Sequence, residues 1–278
     1  MKVSKPLVLV CCALICWTAL AADKKQTKSK SSSSTSTSSS KKSSSSKKET
    51  TVEDEYLSSV EDVIIGELAA SDDHDNKLIA LSYIEDAVSG GRTSPELMSS
   101  LTRLAGEGVR NQSRTKGRLT NNYPDIRARA CALLGTIKTE ESKTVLLQVA
   151  NDEKEPAVVS AAIKALGDVG INENDEVIIT IEFIHRKHMA LNPNSPLALE
   201  VLNAYEKLEP TVQDKTSLIQ SVSEIASNYQ YLSPVRQKAS NFLKKLQEES
   251  AENSSNKSTE KKDDSAAQDE SSEGETTQ

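Results

Sequence analysis

Aromatic residues make up only 3% of this 278-residue chain, and its single Trp is Trp17. Nucleic-acid binders that grip single strands stack bases on aromatic side chains interleaved with cations. No aromatic interleaves the basic residues here, and the pI is near 5.2, so nucleic acid is not an expected partner. Cysteine is equally scarce. Cys11, Cys12 and Cys16 crowd into the first apolar run, and beyond it Cys131 stands alone. One cysteine cannot build a disulfide framework. Flanked by Ala130 and Ala132, Cys131 reads as a small buried hydrophobe. There is no Gly-rich phosphate loop, no nucleophile elbow and no Cys or His cluster of zinc spacing. His185 and His188 lie three apart, but Arg186 and Lys187 beside them oppose a cation, so they read as a solvated or capping helix end. No catalytic, metal or cofactor set is therefore assigned. No window alternates with period two over a useful length, and no sheet is expected.

The longest apolar run, Leu7 to Leu20, is short of the roughly 20 residues a membrane span needs. With Lys2 and Lys5 before it and Ala19-Leu20-Ala21 closing it, the segment reads as an export signal cleaved near residue 21. An uncleaved membrane anchor is the alternative. Cleavage would leave a mature chain without Trp.

Two segments hold no large apolar residue. Within 22–51, residues 27–50 are almost entirely Ser, Lys and Thr, and 249–278 are Ser, Glu, Asp, Lys and Gln. Such composition cannot offset its ordering entropy, so both read as disordered, a linker and a tail. The linker is basic and the tail acidic, which the net charge of −7 conceals. The lysines suit peripheral contact with an anionic membrane or cell-wall surface, or merely a solvating spacer.

Between them lie roughly 200 residues, enough for one sizeable core. Helical spacing and Ser-Pro or Gly punctuation predict ten helices, at about 53–70, 75–89, 95–109, 123–137, 140–151, 156–169, 174–189, 196–208, 214–228 and 233–248. Val177, Ile178, Ile181 and Ile184 form one apolar stripe. Leu218, Ile219, Val222 and Ile225 form another, and Tyr56, Val60, Val63 and Ile64 a third. His74, after Asp72-Asp73, reads as a loop residue, and the acids of the first helix pair as a solvated face.

Within this core the chain repeats itself. Pro124-Asp-Ile126-Arg127-Ala-Arg129-Ala130-Cys-Ala-Leu133-Leu134-Gly135 recurs thirty-two residues on as Pro156-Ala-Val158-Val159-Ser-Ala161-Ala162-Ile-Lys-Ala165-Leu166-Gly167. A period of that length marks a helical solenoid, in which stacked helix pairs share one core. The pattern resembles the second helix of a HEAT repeat. A looser match is Val235-Arg236 through Leu243. The resemblance implies an all-α, right-handed α-α superhelix of about five helix pairs over 52–248, and a habit of binding other proteins. In that family a turn Asp and a helix Arg often build a ladder between repeats; here Asp152 and Arg127 could form one rung, which Val159 and Leu199 cannot continue.

The best candidate for a specific surface is 106–123, a connection longer than the roughly 2–8 residues usual between helices. Arg110, Arg114, Lys116 and Arg118 lie there within nine residues that contain no acid. They read as an anionic-partner contact on a loop, against the plainer reading of a solvated insertion. The expected function is a non-catalytic scaffold, exported to the bacterial envelope or periplasm, holding an unidentified envelope protein and acting as a monomer. A lyase-like enzyme or its accessory, of the kind whose short repeats resemble HEAT units, is the competing class. A surface adhesin is the third.

Overall fold

Proline at a first helical position fits both its fixed φ and its missing N–H, because that amide has no partner within the helix. Pro95, Pro124 and Pro156 each open a helix in this way, and the Oγ of Ser94 additionally accepts from the Leu97 amide. The computed structural model describes residues 51–263, with side chains as far as Glu249. The expected signal at 1–21, the linker at 22–50 and residues 264–278 of the tail lie outside the described residues.

Ten α-helices follow one another: α1 Val52–Ala70, α2 His74–Ser89, α3 Pro95–Ala105, α4 Pro124–Thr136, α5 Glu140–Asp152, α6 Pro156–Val169, α7 Glu176–Leu191, α8 Ser195–Leu208, α9 Lys215–Ser227 and α10 Ser233–Asp263. Each odd helix pairs with the even helix after it. The odd helices stack in one row, α1 on α3 through α7 on α9, and the even helices in a second row, α2 on α4 through α8 on α10. The result is the all-α solenoid of five pairs that the repeat implies. Among the described residues no helix is long and apolar enough to cross a membrane.

The recurring Leu-Gly has a packing cause. Gly135 lies inside α4, not at a helix stop as its sequence position suggests. A Cβ there would sit 2.9 Å from the Ala165 Cα, and one at Gly167 would sit 2.9 Å from the Ala204 Cα. The even helices α4, α6 and α8 thus approach closely along a line of small residues. Leu134 and Leu166, beside those glycines, are fully buried.

Three local expectations change. α3 stops at Ala105 rather than 109, with Gly106 as its cap. α10 continues to Asp263, past the expected end at 248, because 249–263 contains neither Gly nor Pro to stop it. A two-stranded hairpin, β1 Arg114–Thr115 with β2 Arg118–Leu119, stands where no sheet was expected. Four paired residues are too few for alternation to register.

Two of the three apolar stripes are buried as read: Val177, Ile178, Ile181 and Ile184, and Leu218, Val222 and Ile225 with Ile219 packed beside them. The third is not. Tyr56, Val60, Val63 and Ile64 are exposed, and α1 turns Asp62, Ile65 and Ala69 to the core instead. Asp62 is no solvated acid: it accepts from Ser94 Oγ at 2.6 Å and pairs with Arg92.

Candidate functional site

The connection from α3 to α4 is fastened before it is displayed. Gly108, at φ 72°, begins the path; a Cβ there would sit 2.4 Å from the Asn121 carbonyl oxygen, so no other residue fits. Glu107 and Asn121, at the two ends of the excursion, are both buried. The Asn121 amide donates to Glu107 Oε1 and to the Asn111 carbonyl, both at 2.6 Å, while its oxygen accepts from the Ser113 amide at 2.8 Å. One side chain thereby closes the neck of the loop.

That neck joins a chain of buried charges. Lys77 of α2 reaches Glu107 Oε1 at 3.1 Å and donates to the Ala69 carbonyl at 3.0 Å. Arg127 of α4 donates through Nη1 to the Glu107 carbonyl and to Asn122 Oδ1, both at 3.0 Å. Its Nε reaches Glu153 Oε2 at 2.5 Å. The other Glu153 oxygen accepts from the backbone N–H groups of Lys154 and Glu155. Burial works to raise the Glu153 carboxyl, but the Arg127 bond and these two amides outweigh it and hold it below the ordinary value. Both buried cations of this chain of charges thus meet a buried carboxylate, which offsets the cost of taking each ion out of water.

The rung between repeats is therefore Arg127–Glu153, not Arg127–Asp152. Asp152 sits one residue too early and pairs instead with Arg110 at 3.0 Å. As Val159 and Leu199 suggested, the Arg rung does not continue. Further along, Asp175 takes its place without a cation, accepting from the backbone N–H groups of Gln213 and Asp214 and from the Asn172 amide.

Above the neck stands the hairpin. Lys116 at φ 51° and Gly117 at φ 81° form its two-residue turn, the pair of positive φ values that matches strand twist. Cross-strand partners share a face, so Arg114 and Leu119 point one way and Thr115 and Arg118 the other. Of the four candidate cations, the structure groups three on this prong, with Arg114 and Arg118 on opposite faces and Lys116 at the tip. Arg110 is separated from them, held against Asp152 and Gln148 on α5. Arg114 donates to Gln112 Oε1 at 2.9 Å. Among the described residues no carboxylate lies within ion-pair distance of Arg114, Lys116 or Arg118, and all three are exposed. Between the prong and the α5–α6 corner opens a cleft of about 330 Å³, bordered by Leu119, Asn122, Arg127 and Lys154.

The histidines differ from their sequence reading. His74 begins α2 and its Nε2 lies 2.7 Å from Asp125 on α4. The Asp125 hydrogen bond leads in raising its pKa. His185 and His188 are buried, not solvated. His185 Nε2 lies 3.1 Å from the Tyr231 hydroxyl and its Nδ1 3.3 Å from Ser221 Oγ, which accepts from the Tyr205 hydroxyl. Burial, then Arg186 and His188, push His185 down to about 4. Cys131 is buried as read, its thiol pushed up to about 12 by burial. No group of three or more His, Cys, Asp or Glu among the described residues is placed to hold a metal ion. Sequence reasoning missed the neck residues Glu107 and Asn121; the acid-free interval that ends at Glu107 was their only trace.

Residues 114–181 match the family model for HEAT repeats. The match begins at the first residue of the hairpin and covers α4, α5, α6 and the start of α7, the span in which the repeat is most regular. No curated protein and no solved structure matches the chain.

Proposed function

We propose that this HEAT-repeat chain is a non-catalytic scaffold of the bacterial envelope that holds an acidic protein partner through the hairpin of β1 and β2. A helical repeat scaffold is generally engaged in protein interactions, and HEAT repeats are typically non-catalytic. The observation that carries the reading is the hairpin: three exposed cations, unpaired with any described carboxylate, on a prong whose base is pinned by buried hydrogen bonds. A rigid display of charge costs less ordering entropy on binding than a loose loop. Export is the reading of Lys2, Lys5, the apolar run and Ala19-Leu20-Ala21. The intact mass of the protein from cells tests it: a chain retaining Met1 would be an anchored one.

The contact is tested by the triple variant Arg114→Ser, Lys116→Ser, Arg118→Ser. Exposed charges contribute little to folding, so its melting temperature should stay within a few degrees of the parent. Proteins recovered by the parent from envelope extract should fall away, and any residual capture should lose its dependence on salt, since exposed charge attraction is screened over about 8 Å at physiological ionic strength. Equal recovery at every salt concentration would remove the hairpin from the interface.

A further inference from the structure

A solenoid must cover its two ends, because each terminal pair lacks a neighbour on its outer side. The C-terminal end does so with polar residues: the exposed positions of α9 are Thr216, Gln220, Ser223 and Ser227, and those of α10 up to Glu249 are polar apart from Pro234, leaving Tyr229 and Leu232 in the turn between them. Among the described residues the N-terminal end does not. On α1, Tyr56, Leu57, Val60, Val63 and Ile64 are all exposed, Tyr56 by 68% and Val63 by 63%. At about 100° per residue they fall on one side of the helix, opposite Asp62, whose bonds to Arg92 and Ser94 mark the side that faces the α3 end. On α2, Ile79 and Tyr83 are exposed opposite His74 and Glu85, which reach α4 through Asp125 and Arg129. Both helices of the first pair thus turn apolar residues away from the second.

We infer that this end of the solenoid docks an amphipathic helix of another protein, one whose apolar stripe is bordered by Lys and Arg. Charge selects the occupant. α1 carries Glu53, Asp54, Glu55, Glu61, Asp62 and Glu67 and no basic residue. Glu53 and Glu67 lie in line with the stripe at its two ends. A second copy laid across the same face would set these acids against their own counterparts, and an anionic membrane would be repelled by them. Nor can the segments 22–50 and 250–278 supply the cover, since they contain no large apolar residue, and the apolar run Leu7 to Leu20 is read as removed with the export signal. An apolar stripe between Lys and Arg satisfies both halves of the surface: it buries the aliphatic row and pairs the rim, as helices docking on apolar faces do. This inference is independent of the hairpin.

The test uses a fluorescent eighteen-residue peptide of Leu and Lys in amphipathic order, a permuted peptide of the same composition, and a counterpart with Glu in place of Lys. Anisotropy with the full chain should show the amphipathic Lys peptide binding at least tenfold tighter than the permuted one, and the Glu peptide not binding. The variant Tyr56→Ser, Val60→Ser, Ile64→Ser, changed only at exposed positions, should keep the parent's circular dichroism melt and lose that tenfold preference. The triple hairpin variant should retain it. Equal binding of the amphipathic and permuted peptides, or an unchanged preference in the α1 variant, would overturn the proposal. So would sedimentation of the parent as a dimer that the α1 variant abolishes, because a second copy would then be the cover.

Discussion

The two halves of the solenoid solve one problem by different means. In the front half the buried polar atoms between helices are charged: Lys77 with Glu107, and Arg127 with Glu153. In the rear half, where α7 meets α9, the most enclosed polar cluster is uncharged, His185 bridging Ser221 and Tyr231 with Tyr205 bonded behind, and the ions Glu182, Arg186 and Glu224 lie at its rim. Ions are more expensive to bury than hydroxyls, so the front half has accepted a larger desolvation cost. What distinguishes it is the hairpin. Arg127 holds the Glu107 carbonyl and Asn122, the two ends of the displayed loop, while Glu153 anchors the turn into α6. A guanidinium offers several donors in one plane, and with them Arg127 reaches Glu107, Asn122 and Glu153 at once. The rear half displays no such loop, and its buried carboxylates Asp175 and Glu209 are met by backbone amides and by the partly exposed Lys215, not by a buried cation.

If the front charges position the loop, removing one should cost more than any change elsewhere. Arg127→Met leaves Glu153 buried without its cation and the Glu107 carbonyl without its donor. The expected loss is about 3–5 kcal/mol, a large part of a typical total of about 5–15. It should lower the melting temperature by roughly 10 °C. The double variant Arg127→Met, Glu153→Met should recover much of that stability, since a well-packed apolar pair replaces the ion pair. Hydrogen exchange at Ser113 and Asn111 should nevertheless stay fast in the double variant. Slow exchange there would mean that Asn121 alone fixes the hairpin.

Acid should separate the halves. Stability from a histidine buried neutral is intact above its unfolded pKa near 6.5 and is lost as pH falls toward its folded value of about 4. Stability from the Glu153 carboxylate, held low, is intact above its unfolded value of 4.5 and is lost only below that. Between pH 7 and pH 5 the rear half should therefore weaken first, by about 2 kcal/mol from His185. Burial, with Lys187, lowers His188 as well and adds to the same window. Amide exchange in α7 and α9 should accelerate over this range while α4 and α6 hold. His185→Gln should flatten its share of the slope; an unchanged slope would leave His188 as the group responsible.

How much of this was legible in the sequence depended on whether a residue's role was local. Helix starts at Pro95, Pro124 and Pro156 were readable because proline acts on its own backbone. The repeat gave the stacking, because Ala and Leu recur at helical period. Gly135, one residue before the end of α4, also shows a role the sequence hides, since a packing glycine and a capping glycine look alike until the neighbouring helix is seen. Tyr56, Val60, Val63 and Ile64 were misread for the opposite reason: periodicity identifies an apolar face but not whether another element covers it, and among the described residues none covers this one. Glu107, Asn121 and Glu153 were invisible because the pairs that define their role, Glu107 with Asn121 and Arg127 with Glu153, are fourteen and twenty-six residues apart and are chosen by the fold.

Arg110 provides the smallest and sharpest comparison. Like Arg127 it pairs an arginine Nε with a carboxylate at the end of α5, Asp152 rather than Glu153, and at a similar distance. The pairs differ in burial: the side chains of Arg110 and Asp152 are about half exposed, whereas Arg127 and Glu153 are enclosed. An exposed pair gains little, because water competes for both ions and two long side chains must be held still, and the usual contribution is about 0–1 kcal/mol. Arg110→Gln should accordingly shift the melting temperature by no more than a few degrees, and 0.5 M salt should erase that shift, with screening acting over less than about 8 Å. Since Asn121 and Arg127 still fasten the neck, the hairpin should stay in place and its partner capture unchanged. A loss as large as that of Arg127→Met would mean that the rim pair, and not the buried chain beneath it, holds the loop to α5.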